Sequence, residues 1–126
     1  MEPGEAIEAY YQTLRDGDSP APYVRDGETT VKFGISESLW GGEEATAGLE
    51  NQTERTAEWT VDSHNLTVDR RGETAWFADE VFMGWTDTER RIRYEFDTRW
   101  SGTLVATDAF PDWQFVGLHV STAGDL

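Results

Sequence analysis

The sequence predicts an α+β domain, in the order helix, strand, helix and then four long antiparallel strands. Three observations predict it. Apolar residues near the amino terminus recur at helical spacing, those of the second half alternate at strand spacing, and turn residues separate the alternating runs.

In the first element Ile7, Tyr10, Tyr11 and Leu14 follow the i, i+3, i+4, i+7 rule, with Pro3 where a first turn tolerates it and Gly17 suited to the end. Residues 16–22, which include Ser19-Pro20-Ala21-Pro22, leave room for no more than a short turn. Residues 30–35 read as a short strand, because Val31, Phe33 and Ile35 alternate with Lys32 and Gly34. A second helix is expected over residues 43–58, where Glu43 and Glu44 suit the positive end of its dipole and Arg55 the negative end. Its apolar stripe is thin. Residues 61–70 carry Leu66 and Val68 in alternation, and Arg71-Gly72 then turns the chain into residues 74–85, which are apolar on both faces through Trp76, Phe77, Val81, Phe82 and Met83.

After a turn at residues 86–89, the next strand puts Ile92, Tyr94, Phe96 and Trp100 on one side and Arg91, Arg93, Glu95, Asp97 and Arg99 on the other. Gly102 marks a bulge or bend of the kind a curved sheet needs. Residues 108–112 turn into a final strand, Trp113-Gln114-Phe115-Val116-Gly117-Leu118-His119-Val120-Ser121, in which strict alternation puts Phe115, Gly117, His119 and Ser121 on one side.

At 126 residues the chain reads as a single domain over 1–126, able to bury roughly two thirds of its unfolded surface without disulfides or a structural metal. Six tryptophans are a heavy load for that size and suggest a pocket lining or a subunit interface as well as a core. No run of 18 apolar residues occurs, and Met1-Glu2-Pro3-Gly4-Glu5 lacks the regions of a signal peptide, so a cytoplasmic location is expected. The absence of cysteine fits that compartment. Twenty-five acidic residues face ten basic ones, for a net charge of −15, and only Lys32 is lysine. Such a field repels phosphate backbones and anionic bilayers, which excludes nucleic acid and membrane as expected partners. Scarce lysine beside retained arginine and dispersed carboxylates resembles a halophilic protein.

The segment Arg99-Trp100-Ser101-Gly102-Thr103-Leu104 and the tryptophan-led strand ending in His119-Val120-Ser121 together resemble the paired C-terminal strands of SnoaL-like domains in the NTF2-like superfamily. The ending is also similar to that of the association domain of calcium/calmodulin-dependent kinase II. The resemblance implies an NTF2-like cone, a curved mixed or antiparallel sheet wrapped around a long N-terminal helix with a pocket inside, and it implies frequent homodimerisation through the sheet face.

Candidate site residues follow from chemistry and from that resemblance. The row Arg91 to Arg99 reads either as a clamp for a carboxylate or as a solvent-facing strand laced with weak ion pairs. Arg99 alone matches the family arginine, which in relatives often faces the cavity. His119, with Ser121 beside it, reads either as a proton shuttle or ligand contact or as a histidine that fixes the sheet. His64 reads as a surface residue. Ketosteroid isomerase and the SnoaL polyketide cyclase work through a carboxylate base and hydrogen-bond donors around an enolate. Asp79, between Phe77 and Val81, is the carboxylate most exposed to desolvation, and Tyr10 or Tyr11 is a candidate phenol.

Neither histidine has a second one at metal-ligand spacing, and no cysteine nucleophile, Gly-x-Ser-x-Gly or phosphate-cradling loop occurs, so neither metal nor cofactor is expected. The triplets Asn51-Gln52-Thr53 and Asn65-Leu66-Thr67 matter only for a secreted glycoprotein.

Three classes of function stand. One is a small-molecule binder whose pocket is walled by Trp40, Trp59, Trp85 and the first helix, with Arg99 and His119 as polar contacts. Another is an isomerase, cyclase or hydratase using a carboxylate or His119. The third is a dimerisation module with a vestigial pocket.

The charge predicts salt dependence. Screening shortens from about 10 Å at 0.1 M to about 3 Å at 1 M ionic strength, so self-repulsion grows as salt is removed. The melting temperature should fall between molar and millimolar salt, and equal values in the two would contradict the halophilic reading.

Overall fold

Helix α1 (Pro3–Asp16) begins at a capping box in which the Glu2 carboxylate accepts from the Glu5 N–H while Glu5 accepts from Glu2, at 3.0 Å. It ends at Gly17, whose φ of 76° is the left-handed value that glycine adopts without a Cβ penalty. In the computed structural model, which describes residues 1–123, its apolar stripe of Ala6, Ile7, Tyr10, Tyr11 and Leu14 is buried, as the helical spacing predicts. A single 3-10 turn, Ala21–Tyr23, occupies the proline-rich connection.

The rest is one seven-stranded sheet interrupted by a second helix: β1 (Val31–Phe33), β2 (Ser38–Trp40), α2 (Gly42–Arg55), β3 (Thr56–Ser63), β4 (Thr67–Arg71), β5 (Thr74–Asp87), β6 (Ile92–Ala106) and β7 (Trp113–Thr122). The order is β2-β1-β7-β6-β5-β3, with β4 pairing the first half of β5. All pairs are antiparallel except β1 with β7, so the sheet is mixed. It curves over α1 and α2, with its concave face inward.

Three element boundaries differ from the sequence expectation. The strand at 30–35 is a hairpin: Gly34 to Glu37 turn the chain, Gly34 N–H donates to Glu37 O at 3.0 Å, and Ser38–Trp40 returns alongside. Helix α2 stops at Arg55, and Glu58 takes φ 56° within a register shift between Ala57 and Thr60, which starts β3 before residue 61. The run 61–70 is two strands, β3 and β4, which pair opposite halves of the long β5.

A fourth difference decides the site. Strict alternation does not run unbroken along β7. Leu104 pairs with Phe115 but Thr103 pairs with Gly117, so Val116 is an extra residue, a β-bulge. Beyond it the parity flips: Phe115 is buried in the core, whereas His119 is exposed on the opposite face. Gly102 sits beside this bulge because two backbones meet there. A Cβ on it would fall 2.3 Å from the Gly117 carbonyl oxygen and 3.0 Å from the Phe77 ring.

The core forms where α1 meets the concave face. Tyr10 packs edge-on against Phe115 at 5.1 Å and Trp100 at 6.0 Å, and Tyr11 against Trp100 at 5.2 Å. Arg15 adds a tie, donating to the Val61 carbonyl at 3.0 and 2.6 Å. No helix among the described residues is long and apolar enough to cross a membrane.

Candidate functional site

Inward-facing positions of the long strands leave a cavity of about 250 Å³ between the sheet, α1 and α2. Its apolar walls come from strand parity: Met83 and Trp85 on β5, Trp100 on β6, Val120 on β7 and Trp59 on β3. Trp59 and Trp85 stack at 5.2 Å and 19°. Neighbouring threonines engage the indole donors of Trp59 and Trp100. The Trp59 N–H donates to Thr56 Oγ1 at 2.8 Å, and the Trp100 N–H to Thr98 Oγ1 at 2.9 Å, whose hydroxyl in turn donates to the Val81 carbonyl at 2.6 Å. Trp59 and Trp100 therefore offer apolar surface with their one polar atom already satisfied.

The polar groups sit on the other side. Tyr10 projects from α1 with its ring fully buried, and among the described residues its hydroxyl makes no hydrogen bond. Lys32 enters from β1, where its neighbours Val31 and Phe33 point the other way, and it ion-pairs with Glu37 from the β1–β2 turn. Asn51, Gln52 and Arg55 from the last turns of α2 complete the lining. At the mouth Arg55 pairs with Glu89 at 2.9 Å. The backbone N–H of Arg90, then that of Glu89, each at 3.0 Å, holds the Asp87 carboxyl below the usual carboxylate range.

Of the residues expected at the pocket, Tyr10, Trp59 and Trp85 line this cavity. Trp40, Arg99, His119 and Ser121 do not. Arg99 pairs across the ladder with Ser121, and Ser101 with His119, on the convex face, where with Glu80, Asn65 and Thr67 they rim a shallow polar hollow. Trp40 is 63% exposed on that same face, and its ring meets Phe33, which in turn meets His119 at 5.7 Å. The row Arg91, Arg93, Glu95, Asp97 and Arg99 likewise faces outward, with Arg93 and Glu95 in a surface ion pair at 3.5 Å.

Asp79 is buried as its apolar flanks suggest, but it lies outside the cavity. Its carboxylate accepts from the Tyr11 hydroxyl at 2.8 Å, the Ser63 hydroxyl at 2.6 Å and the Asn65 N–H at 2.9 Å. That geometry makes it a fastener between α1, β3 and the β3–β4 loop. Two cavity residues escape a reading of the sequence. Lys32 stands there only as the polar half of an alternation, although its being the sole lysine is a signal. Glu37 carries none, because a turn glutamate in an acidic chain looks like solvated surface. No cluster of His, Asp and Glu among the described residues is placed to hold a metal ion.

Comparison with known proteins bears on the fold. A family model for the SnoaL-like domain matches residues 4–124. Among solved structures, a candidate dehydratase of the NTF2-like family from Streptomyces avermitilis superimposes with a TM-score of 0.82 at 14% identity, covering 97% of this chain and 94% of that one. An NTF2-like protein of unknown function from Pseudomonas putida KT2440 gives 0.77 at 23% identity, over 98% and 85%. A candidate scytalone dehydratase from Novosphingobium aromaticivorans gives 0.79 at 15%, over 96% and 81%. At such identities the likeness concerns architecture alone. No curated protein matches.

Two buried phenols set a pH dependence. Burial pushes the Tyr10 hydroxyl above its ordinary 10.0, with the Glu37 charge adding to it, and burial followed by the hydrogen bond to Asp79 does the same for Tyr11. Above pH 10 the unfolded chain releases these protons while the native state keeps them, so stability is full below pH 10 and falls as pH rises further. Urea titrations at pH 8, 10 and 11 should show that decline, and the Tyr10→Phe/Tyr11→Phe double variant should show a shallower one. An equal slope in both proteins would refute it.

Proposed function

The chain belongs to the SnoaL-like family of NTF2-like domains, and from that premise we propose that its internal cavity binds a small, partly apolar molecule. The observation that carries the reading is the Tyr10 hydroxyl, open to the cavity and without a protein partner among the described residues, opposite a wall of Trp59, Trp85 and Trp100. The volume is below the roughly 300–1,000 Å³ usual for drug-sized ligands, so the guest is small.

A second reading is enzymatic. Tyr10 is a hydrogen-bond donor and Glu37 a carboxylate in one cavity, the pair of roles that stabilising and forming an enolate requires. Asp79 has its carboxylate engaged by three donors and does not line this cavity. Under both readings the convex face pairs with a second copy. Exposed Trp40, its contact Phe33 and the hollow of Arg99, His119 and Ser121 supply that surface.

A thermal-shift screen of planar cyclic ketones and carboxylates in molar salt tests binding, since a guest raises the melting temperature by mass action. Tyr10→Phe and Trp59→Ala should lose the ligand-induced shift, while Arg99→Ala and His119→Ala keep it. The reverse pattern would move the site to the convex hollow. Deuterium uptake from solvent at the α-carbon of a bound ketone separates enzyme from binder. For pairing, sedimentation should give a dimer that Trp40→Glu dissociates, and a monomeric wild type would remove that interface.

A further inference from the structure

The protein's one lysine lies inside it. In a chain with 25 acidic residues an ammonium finds partners anywhere on the surface, yet the Lys32 side chain is 7% exposed and lines the cavity. Among the described residues Glu37 is its sole hydrogen-bond partner, so two of its three N–H donors have no protein acceptor. A second donor, the Tyr10 hydroxyl, lines the same space and is likewise unpartnered.

The two ends of the Lys32–Glu37 pair differ in freedom. Lys32 is fixed by its register on β1 between β2 and β7. Glu37 is 37% exposed and belongs to the hairpin turn at the cavity mouth. It reaches the ammonium by lying flat on Gly34, where a Cβ would fall 2.8 Å from its Cγ and 2.9 Å from Oε1. The carboxylate can swing to water. The ammonium cannot follow, and burying it without a counter-ion is expensive. A guest that supplies its own carboxylate exchanges one anion for another at constant charge. Of the other ionic groups lining the cavity, Arg55 is engaged by Glu89 at the rim and Asp87 by two backbone N–H groups.

We propose that the cavity selects a small monocarboxylate, which displaces Glu37 from Lys32, accepts a second hydrogen bond from Tyr10 and lays its apolar body against Trp59, Trp85 and Trp100. The assignment rests on the reading of the cavity as a binding site. It gives Lys32 the role of specificity determinant, Glu37 that of resident counter-ion, and Gly34 that of a positioning residue.

Calorimetry in one fixed concentrated-salt buffer, with benzoate and 1-naphthoate against benzamide and 1-naphthamide, tests it. The carboxylates should bind at least tenfold tighter than their amides. Lys32→Met should erase that difference while amides still bind, and Glu37→Gln should tighten the carboxylates severalfold without affecting the amides. Lysine labelled at Cε gives a single resonance in this chain, which should move with carboxylates and not with amides. Equal binding of acid and amide to the wild type would overturn the assignment, as would a preference that survives Lys32→Met or is lost in Arg55→Gln. Failure of both probe classes to bind would remove the site itself, a result distinct from amide binding without selectivity.

Discussion

The contact on which the rest depends is that between α1 and the concave sheet, pinned at the buried hydrogen bond from Tyr11 to Asp79. The sheet curves and would expose its inner face without the helix. The helix in turn is only 14 residues long and marginal alone, so its stability comes from burying Ile7, Tyr10, Tyr11 and Leu14. Aromatic packing is adaptable in register, whereas a carboxylate fed by three donors is not. Asp79 therefore sets where α1 lies along β5, and that setting aims Tyr10, one residue earlier, at the cavity.

With the helix fixed, strand parity divides the labour between two faces. Inward positions on β3, β5, β6 and β7 supply an apolar wall in which the Trp59 and Trp100 indole donors are already engaged, while α1 supplies a hydroxyl without a protein partner among the described residues and β1 an ammonium held by Glu37 alone. Outward positions collect Arg91, Arg93, Arg99, His119 and exposed Trp40. An apolar wall and a few convergent polar groups on one side, and ladder pairs open to water on the other, are the physical basis for assigning binding to the interior.

Long elements were legible from their patterns. The stripe of α1 and the alternation along 92–100 appear where period puts them, whereas the strand read as apolar on both faces alternates, with Trp76 exposed, and runs to Asp87, two residues into the turn expected at 86–89. Short elements were not. A three-residue strand such as β2 offers too few positions for any period to show, and its ladder partner is supplied by tertiary structure. The split of β3 from β4 was hidden because both pair with one continuous strand. Cavity-lining positions were legible where burial follows from type, as for Trp59, Trp85 and Tyr10. They were not legible where facing decides: Arg99 and His119 carry the most recognisable motif in the chain and point away from the cavity. Lys32 shows the converse, a charged residue drawn inward by one turn glutamate.

The unpaired Val116 works as a parity bit for the end of the chain. Every side chain after it owes its orientation to one supernumerary residue, so deleting that residue would exchange the two faces of the terminal ribbon in a single step, carrying the imidazole to the concave side and Val120 out to water. A lineage with this architecture can thus gain or retire an interior histidine by changing length, without altering the histidine itself.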